Sequence, residues 1–304
     1  MKSLRIIPAL LLSLAMSLSA SAQSDFPTAR FGGLSTNTAF ALGDVDSVKA
    51  SFESIHTQGV EQLRIELRGN SPFGALDTLL SVAETYQMDV FVAIPDTQVV
   101  KFDMQALSTA VASHTGTVKA YTMVYTNRVP SAELADAFKQ IVAATPGALH
   151  GVSVRQASDH DFNTLVRLPG VDFVGLVLGY KEQGWASLDR VQQSLSHVFS
   201  RLPQAVQQMV RVLKPLEKPL LIDYIDYPRD RAYHQPDSSV RMRENVVNLA
   251  LRLFADHDET LWGIFLGEWV PNPAANATLP TEVVYDTDTR SIARLVSKTN
   301  FERQ

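Results

Sequence analysis

Three carboxylates, Asp223, Asp226 and Glu268, and six hydrogen-bonding or aromatic residues, Arg64, Asn127, Arg128, Tyr180, Tyr224 and Trp269, fall inside or just after short apolar runs of the 304-residue sequence. Carboxyl groups at such places can donate a proton or attack a carbon. Amide, guanidinium and phenol groups can hold hydroxyls, and aromatic rings can stack on the C–H faces of a sugar. Together they suit a carbohydrate ligand, although packing or rim solvation accounts for each aromatic residue taken singly. The stretch "YTMVYTNRVPSAEL" poses the sharpest question, because it ends an apolar run on Asn127 and then Arg128. A guanidinium does not give up its proton near neutral pH, so Arg128 is no general acid. It either pairs with a nearby acid such as Asp226 or binds a ligand. Asp223 reads first as a buried structural acid and second as a reacting group, and Glu268 as a supporting or a reacting one.

Eight apolar runs carry these residues, at 29–34, 62–67, 89–95, 118–125, 149–154, 172–178, 219–223 and 261–266. Amphipathic segments alternate with them, at 44–58, 73–86, 104–113, 131–144, 158–168, 188–214 with a break at Pro203, 241–255 and 287–297. Val45, Val48, Phe52 and Ile55 recur at helical spacing after Asp44. Ser131 and Glu133 stand where the unpaired N–H groups of a first helical turn need acceptors. Eight strand–helix repeats predict a parallel sheet closed into a (β/α)8 barrel, whose reacting groups stand at the C-terminal strand ends. A doubly wound open sheet is the competing fold. "FGGLS" argues against it, since it lacks the third glycine of a dinucleotide loop and opens no immediate helix.

The order of the strand-end residues resembles the clan A glycoside hydrolases, and within them the β-1,3-glucanase type. The similarity runs through "VEQLRIELRGN", "TNRVP", "VDFVGLVLGYKEQGW", "KPLLIDYIDYPRD" and "GIFLGEW". It implies that Arg64, Asn127, Tyr180 and Trp269 keep site positions. It also implies that the acid/base glutamate is replaced by Arg128 and the nucleophile by Tyr224. A retaining glycosidase needs two carboxyl groups roughly 5 to 5.5 Å apart. Asp223, Asp226 and Glu268 are the candidates for a relocated pair.

The first 25 residues, "MKSLRIIPALLLSLAMSLSASAQSD", have a basic start, an apolar stretch too short to span a bilayer and the small-residue pattern Ala20-Ser21-Ala22. They predict a signal peptide over 1–22, a single domain over 23–304 and an exported protein, periplasmic or secreted. Losing Lys2 and Arg5 takes the formal charge from −5 to −7, which disfavours a nucleic-acid partner. No later run is long enough for a membrane span. Cysteine is absent, so disulfides and thiolate chemistry are excluded. Asp159, His160 and Asp161 in "SDHDF" are too close together on one helix start to converge on an ion. No metal or cofactor is expected.

These observations favour an exported glycoside hydrolase-like barrel that has lost its usual catalytic pair and binds a glycan or assists polysaccharide processing. An active glycosidase with relocated carboxylates is the alternative, and an interaction protein whose mouth is filled by its own loops is the third reading. Arg68, Arg128, Arg155, Lys181, Arg229 and Arg231 at strand ends point to an anionic polymer, unless Asp223, Asp226, Asp230 and Glu182 neutralise them.

Overall fold

A computed structural model describes residues 31–41, 45–69, 72–99, 101, 103–126, 131–155, 161–178, 203–225, 248, 252–253, 256, 260–267 and 269. Eight parallel strands close into one barrel in sequence order. They are β1 (Phe31–Asn37), β2 (Gln62–Glu66), β3 (Asp89–Pro95), β4 (Val118–Val124), β5 (Leu149–Val154), β6 (Phe173–Leu178), β7 (Leu220–Ile225) and β8 (Leu261–Leu266). Pairing of β1 with β8, Phe31 opposite Gly263 and Leu34 opposite Leu266, completes the ring. The strands are covered on both faces, so they read as apolar runs such as "DVFVAIP" rather than as alternating patterns.

The helices follow from the same periodicity. They are α1 (Val45–Thr57), α2 (Phe73–Thr85), α3 (Asp96–Val99), α4 (Met104–Val111), α5 (Ser131–Ala144) and α6 (Phe162–Leu165), and residues 203–213 are helical up to a short turn before β7. Val48, Ser51, Phe52 and Ile55 bury one face of α1 against the sheet. That helix stops at Gly59, whose φ of 86° lets its N–H reach back to His56 and the next N–H reach Ile55. Asp103 caps α4 by accepting the Gln105 N–H at 2.9 Å. The expected helix at 158–168 is shorter than its pattern, a single turn at Phe162–Leu165. The turn at Asp96–Val99 had no periodic signal, being four residues long. The expected helix at 287–297, nearly all of that at 241–255, and the leader segment 1–22 lie outside the described residues.

The lower half of the barrel interior is an aromatic plug. Phe31, Phe91, Ala120, Leu149, Phe173, Leu221, Trp262 and Phe265 form one buried cluster. Their rings meet at 5.1 to 5.4 Å between centroids, with Phe31 edge-on to Trp262 at 88°. So many rings fit only because neighbouring strands supply no side chain. A Cβ on Gly151 would lie 2.4 Å from the Phe173 ring, and one on Gly263 would lie 2.2 Å from the Phe31 ring.

Gly151→Ala should therefore destabilise the protein by about 1 to 3 kcal/mol through overpacking, and Phe173→Leu should recover part of that loss in the double variant. Urea unfolding of the two single variants and the double variant measures both. A silent Gly151→Ala would contradict the ring packing.

Candidate functional site

Above the aromatic plug the interior turns polar. Ser35 on β1, Arg64 on β2, Ser153 on β5 and Asp223 on β7 are all buried there, Arg64 at 1% exposure and Asp223 at 0%. A guanidinium so placed must find acceptors or cost several kcal/mol. Arg64 finds three: one terminal nitrogen donates to Ser35 Oγ and to Glu66 Oε2, both at 3.1 Å, and the other donates to Asp223 Oδ2 at 3.1 Å. Arg68 then donates from Nε to the second oxygen of Glu66 at 2.7 Å. Two carboxylates and two guanidinium groups thus form one nearly neutral chain across β2 and β7.

This arrangement fixes the charge states. Burial works against the Arg64 cation, but Asp223 and then Glu66 outweigh it and hold its pKa above the ordinary value. Burial likewise pushes the Glu66 carboxyl up, while Arg68 and Arg64 overcome that and hold it at about 2. Glu66 is an ionised acceptor at any working pH and has no proton to give.

A local irregularity sets what surrounds the chain of charges. Along β6 the partners run Gly175 with Leu221 and then Val177 with Tyr224, so β7 carries one extra residue. Such a bulge lets two consecutive residues face the same side. Asp223 reaches Arg64 from inside the barrel, and Tyr224 joins Ala93, Val124 and Val177 in the interior layer above. The Tyr224 ring also lies 5.5 Å from the Arg64 guanidinium and packs on Gly267, where a Cβ would come within 1.7 Å of it. It roofs the ion pair. A Cβ on Gly175 would lie 1.8 Å from Ser153 Oγ and 3.0 Å from Asp223 Cβ, so the bare backbone there makes room for both side chains, and among the described residues Ser153 Oγ and Asp223 Oδ1 have no hydrogen-bond partner.

Strand exits nearby are strapped to one another. Thr38 Oγ1 accepts from the Arg68 N–H at 2.8 Å and donates to the Arg68 carbonyl at 2.9 Å, which joins the ends of β1 and β2. Buried Asp96 accepts from the Thr126 N–H at 2.8 Å and from its hydroxyl at 2.5 Å. The Tyr125 hydroxyl donates to Asp161 at 2.7 Å. The chain is therefore held immediately before Asn127. Asp96 is thus a structural acceptor.

Of the residues singled out from the sequence, Arg64, Asp223 and Tyr224 come together. Trp269 does not join them: it is fully buried in the layer between sheet and helices, its ring 5.2 Å from that of Phe52 on α1. Its backbone N–H closes the barrel by donating to the Ser35 carbonyl at 2.7 Å. Asn127, Arg128, Tyr180, Asp226 and Glu268 lie outside the described residues. Sequence reasoning missed Glu66 as the partner of Arg64, although two residues apart on one strand is the spacing that puts both on one face. Among the described residues no group of three or more histidine, aspartate or glutamate side chains could hold a metal ion, and no helix is long and apolar enough to cross a membrane.

Several solved structures that resemble this chain are glycoside hydrolase barrels. A family 5 mannosidase from Rhizomucor miehei superposes with a TM-score of 0.66 at 12% identity, over 89% of this chain and 92% of that one. A family 113 β-1,4-mannanase gives 0.60 at 8% identity, over 90% and 99%. An endoglucanase from the hyperthermophilic Thermotoga maritima gives 0.58 at 13%, over 88% and 96%. Identities this low establish a shared barrel fold. No protein-family model and no curated protein matches the sequence.

The position of Glu66 has a consequence for acid stability. Its folded pKa of about 2 lies below the ordinary 4.5, so its contribution is complete above about 4.5 and is lost as pH falls toward 2. The stability difference between the wild type and Glu66→Gln should be flat near neutral pH, on the order of 2 kcal/mol, and should shrink steadily over that acid window. Denaturant unfolding at a series of pH values measures it. A difference independent of pH would show that Glu66 is not held ionised.

Proposed function

We propose that the protein is an exported, glycoside hydrolase-like barrel that binds a glycan at its C-terminal mouth without hydrolysing it. The observation that carries this reading is the Arg64 guanidinium shared between Asp223 and Glu66. It occupies both described carboxylates of the inner site, and it leaves Glu66 with no proton to donate. Asp223 is fully buried beneath Tyr224, out of reach of an anomeric carbon. The resemblance that assigns Arg128 to the acid/base position and Tyr224 to the nucleophile position supports the same conclusion. The mannosidase, β-1,4-mannanase and endoglucanase that share the fold make a polysaccharide the natural ligand class.

Arg64 and Arg68 are committed to carboxylates. A preference for acidic sugars therefore rests on Arg128, Lys181, Arg229 and Arg231, basic residues of the segments that follow strand ends. The pattern of residues 1–22 supports export, with the mature chain starting at Gln23.

The test is calorimetry of the mature protein with mannan, β-glucan and polyuronate oligosaccharides, alongside a reducing-sugar assay on the same ligands. Saturable binding is expected. Turnover should be absent or lower by about 10² to 10⁴ than that of a barrel with an intact acid/base. Arg128→Ala should weaken polyuronate binding, and added salt should weaken it further. Robust hydrolysis abolished by Asp226→Ala or Glu268→Ala would instead establish the relocated-carboxylate enzyme. Binding of neutral glucans in preference to acidic ones, unchanged in Arg128→Ala, would remove the anionic ligand.

A further inference from the structure

The barrel interior is filled by small side chains at one level. On β4 the inward residues run Ala120, Thr122 and Val124, and on β6 they run Phe173, Gly175 and Val177. The first of each belongs to the aromatic plug and the last to the layer that Tyr224 shares with Ala93. Ser153 stands between the two strands on β5, paired with Val124 on one side and Gly175 on the other. Three adjacent strands therefore contribute a threonine, a serine and a glycine where such barrels usually pack bulky branched side chains.

The same level gathers polar atoms that the protein does not satisfy. Thr122 Oγ1, Ser153 Oγ and Asp223 Oδ1 are buried, and none has a hydrogen bond among the described residues. A buried polar atom left unpaired is costly, and native structures keep few of them. Ser153 Oγ and Asp223 Cβ both lie within 3.0 Å of the point where a Gly175 Cβ would stand, so hydroxyl and carboxylate are neighbours across bare backbone. Arg64 takes only the other oxygen of Asp223.

These atoms define what can sit among them. Asp223 Oδ1 only accepts, whereas each hydroxyl both donates and accepts. The charges are already balanced, since Asp223 and Glu66 face Arg64 and Arg68. An ion of either sign would leave a net buried charge. Enclosure between the plug and the Tyr224 layer admits only a very small neutral molecule that donates and accepts, and internal waters typically make about three hydrogen bonds to buried polar groups. We propose that an ordered internal water sits at this level, donating to Asp223 Oδ1 and hydrogen-bonded to the hydroxyls of Ser153 and Thr122. It ties β4 and β5 to β7 and completes the side of Asp223 that Arg64 leaves open.

A crystal structure of the protein with its ordered solvent, and oxygen-17 relaxation dispersion in solution, test this. The wild type should show one density peak about 2.6 to 3.2 Å from Asp223 Oδ1, Ser153 Oγ and Thr122 Oγ1. Ser153→Val removes a hydroxyl and adds a methyl group at that place, so the peak should disappear and the dispersion amplitude should fall by about one long-lived water. Thr122→Val keeps the volume and should retain the peak on its two remaining partners. The proposal is overturned if the wild type has no peak there, if the peak is an ion, if the Ser153 hydroxyl turns to donate directly to Asp223 Oδ1, or if Ser153→Val folds and leaves the dispersion unchanged. The wild-type density decides the matter alone if Ser153→Val does not fold.

Discussion

A guanidinium enclosed by a barrel has to be matched from within, and much of the described site follows from that requirement for Arg64. The side chain is 1% exposed and stands above a plug of five aromatic rings, where no solvent can reach it. Asp223 supplies a partner from the opposite strand pair, Glu66 a second from its own strand and Ser35 a third from β1. Removing one partner would strand a buried charge at a cost of about 3 to 5 kcal/mol. The bulge in β7, the bare backbone at Gly175 and Gly267 and the flat placement of Tyr224 are the local adjustments that let those partners meet.

The same requirement limits the chemistry. A barrel interior that hydrolyses glycosides presents one protonated and one ionised carboxyl group to the sugar. Here Asp223 and Glu66 face the Arg64 cation instead, and Glu66 is held ionised by Arg68 and Arg64. The fold is therefore the one that glycoside hydrolases use, with its inner polar layer turned to holding itself together. Thr38 ties the ends of β1 and β2 together through Arg68, and Asp96 ties the end of β3 to Thr126 after β4.

The sequence shows the barrel clearly and the site in part. Eight apolar runs alternating with helical periodicity fit a closed barrel, and β3, β5, β8 and α5 begin and end where the pattern places them. The ends of β7 were less legible: the pattern stops at Asp223, but the strand continues to Ile225 because a bulge puts two neighbouring residues on one face. Alternation alone sends Asp223 and Tyr224 to opposite sides, so their shared position could not be read from spacing. The placement of Trp269 is likewise set by packing that spacing does not show: Tyr224 fills the space at Gly267, and the Trp269 indole packs on Phe52 of α1. The Arg64–Asp223 pair spans 159 residues, and nothing local in either strand announces the other.

The central claim is that Arg64 and Asp223 are energetically one unit, and a double-mutant cycle tests it most directly. Arg64→Met, Asp223→Leu and the double variant would be compared with the wild type by urea unfolding at neutral pH. The account predicts that each single change costs about 3 to 5 kcal/mol, because each leaves an uncompensated buried charge, and that the double variant costs far less than the two together. Additivity within about 0.5 kcal/mol would contradict it, because the two groups would then be stabilised by something other than each other.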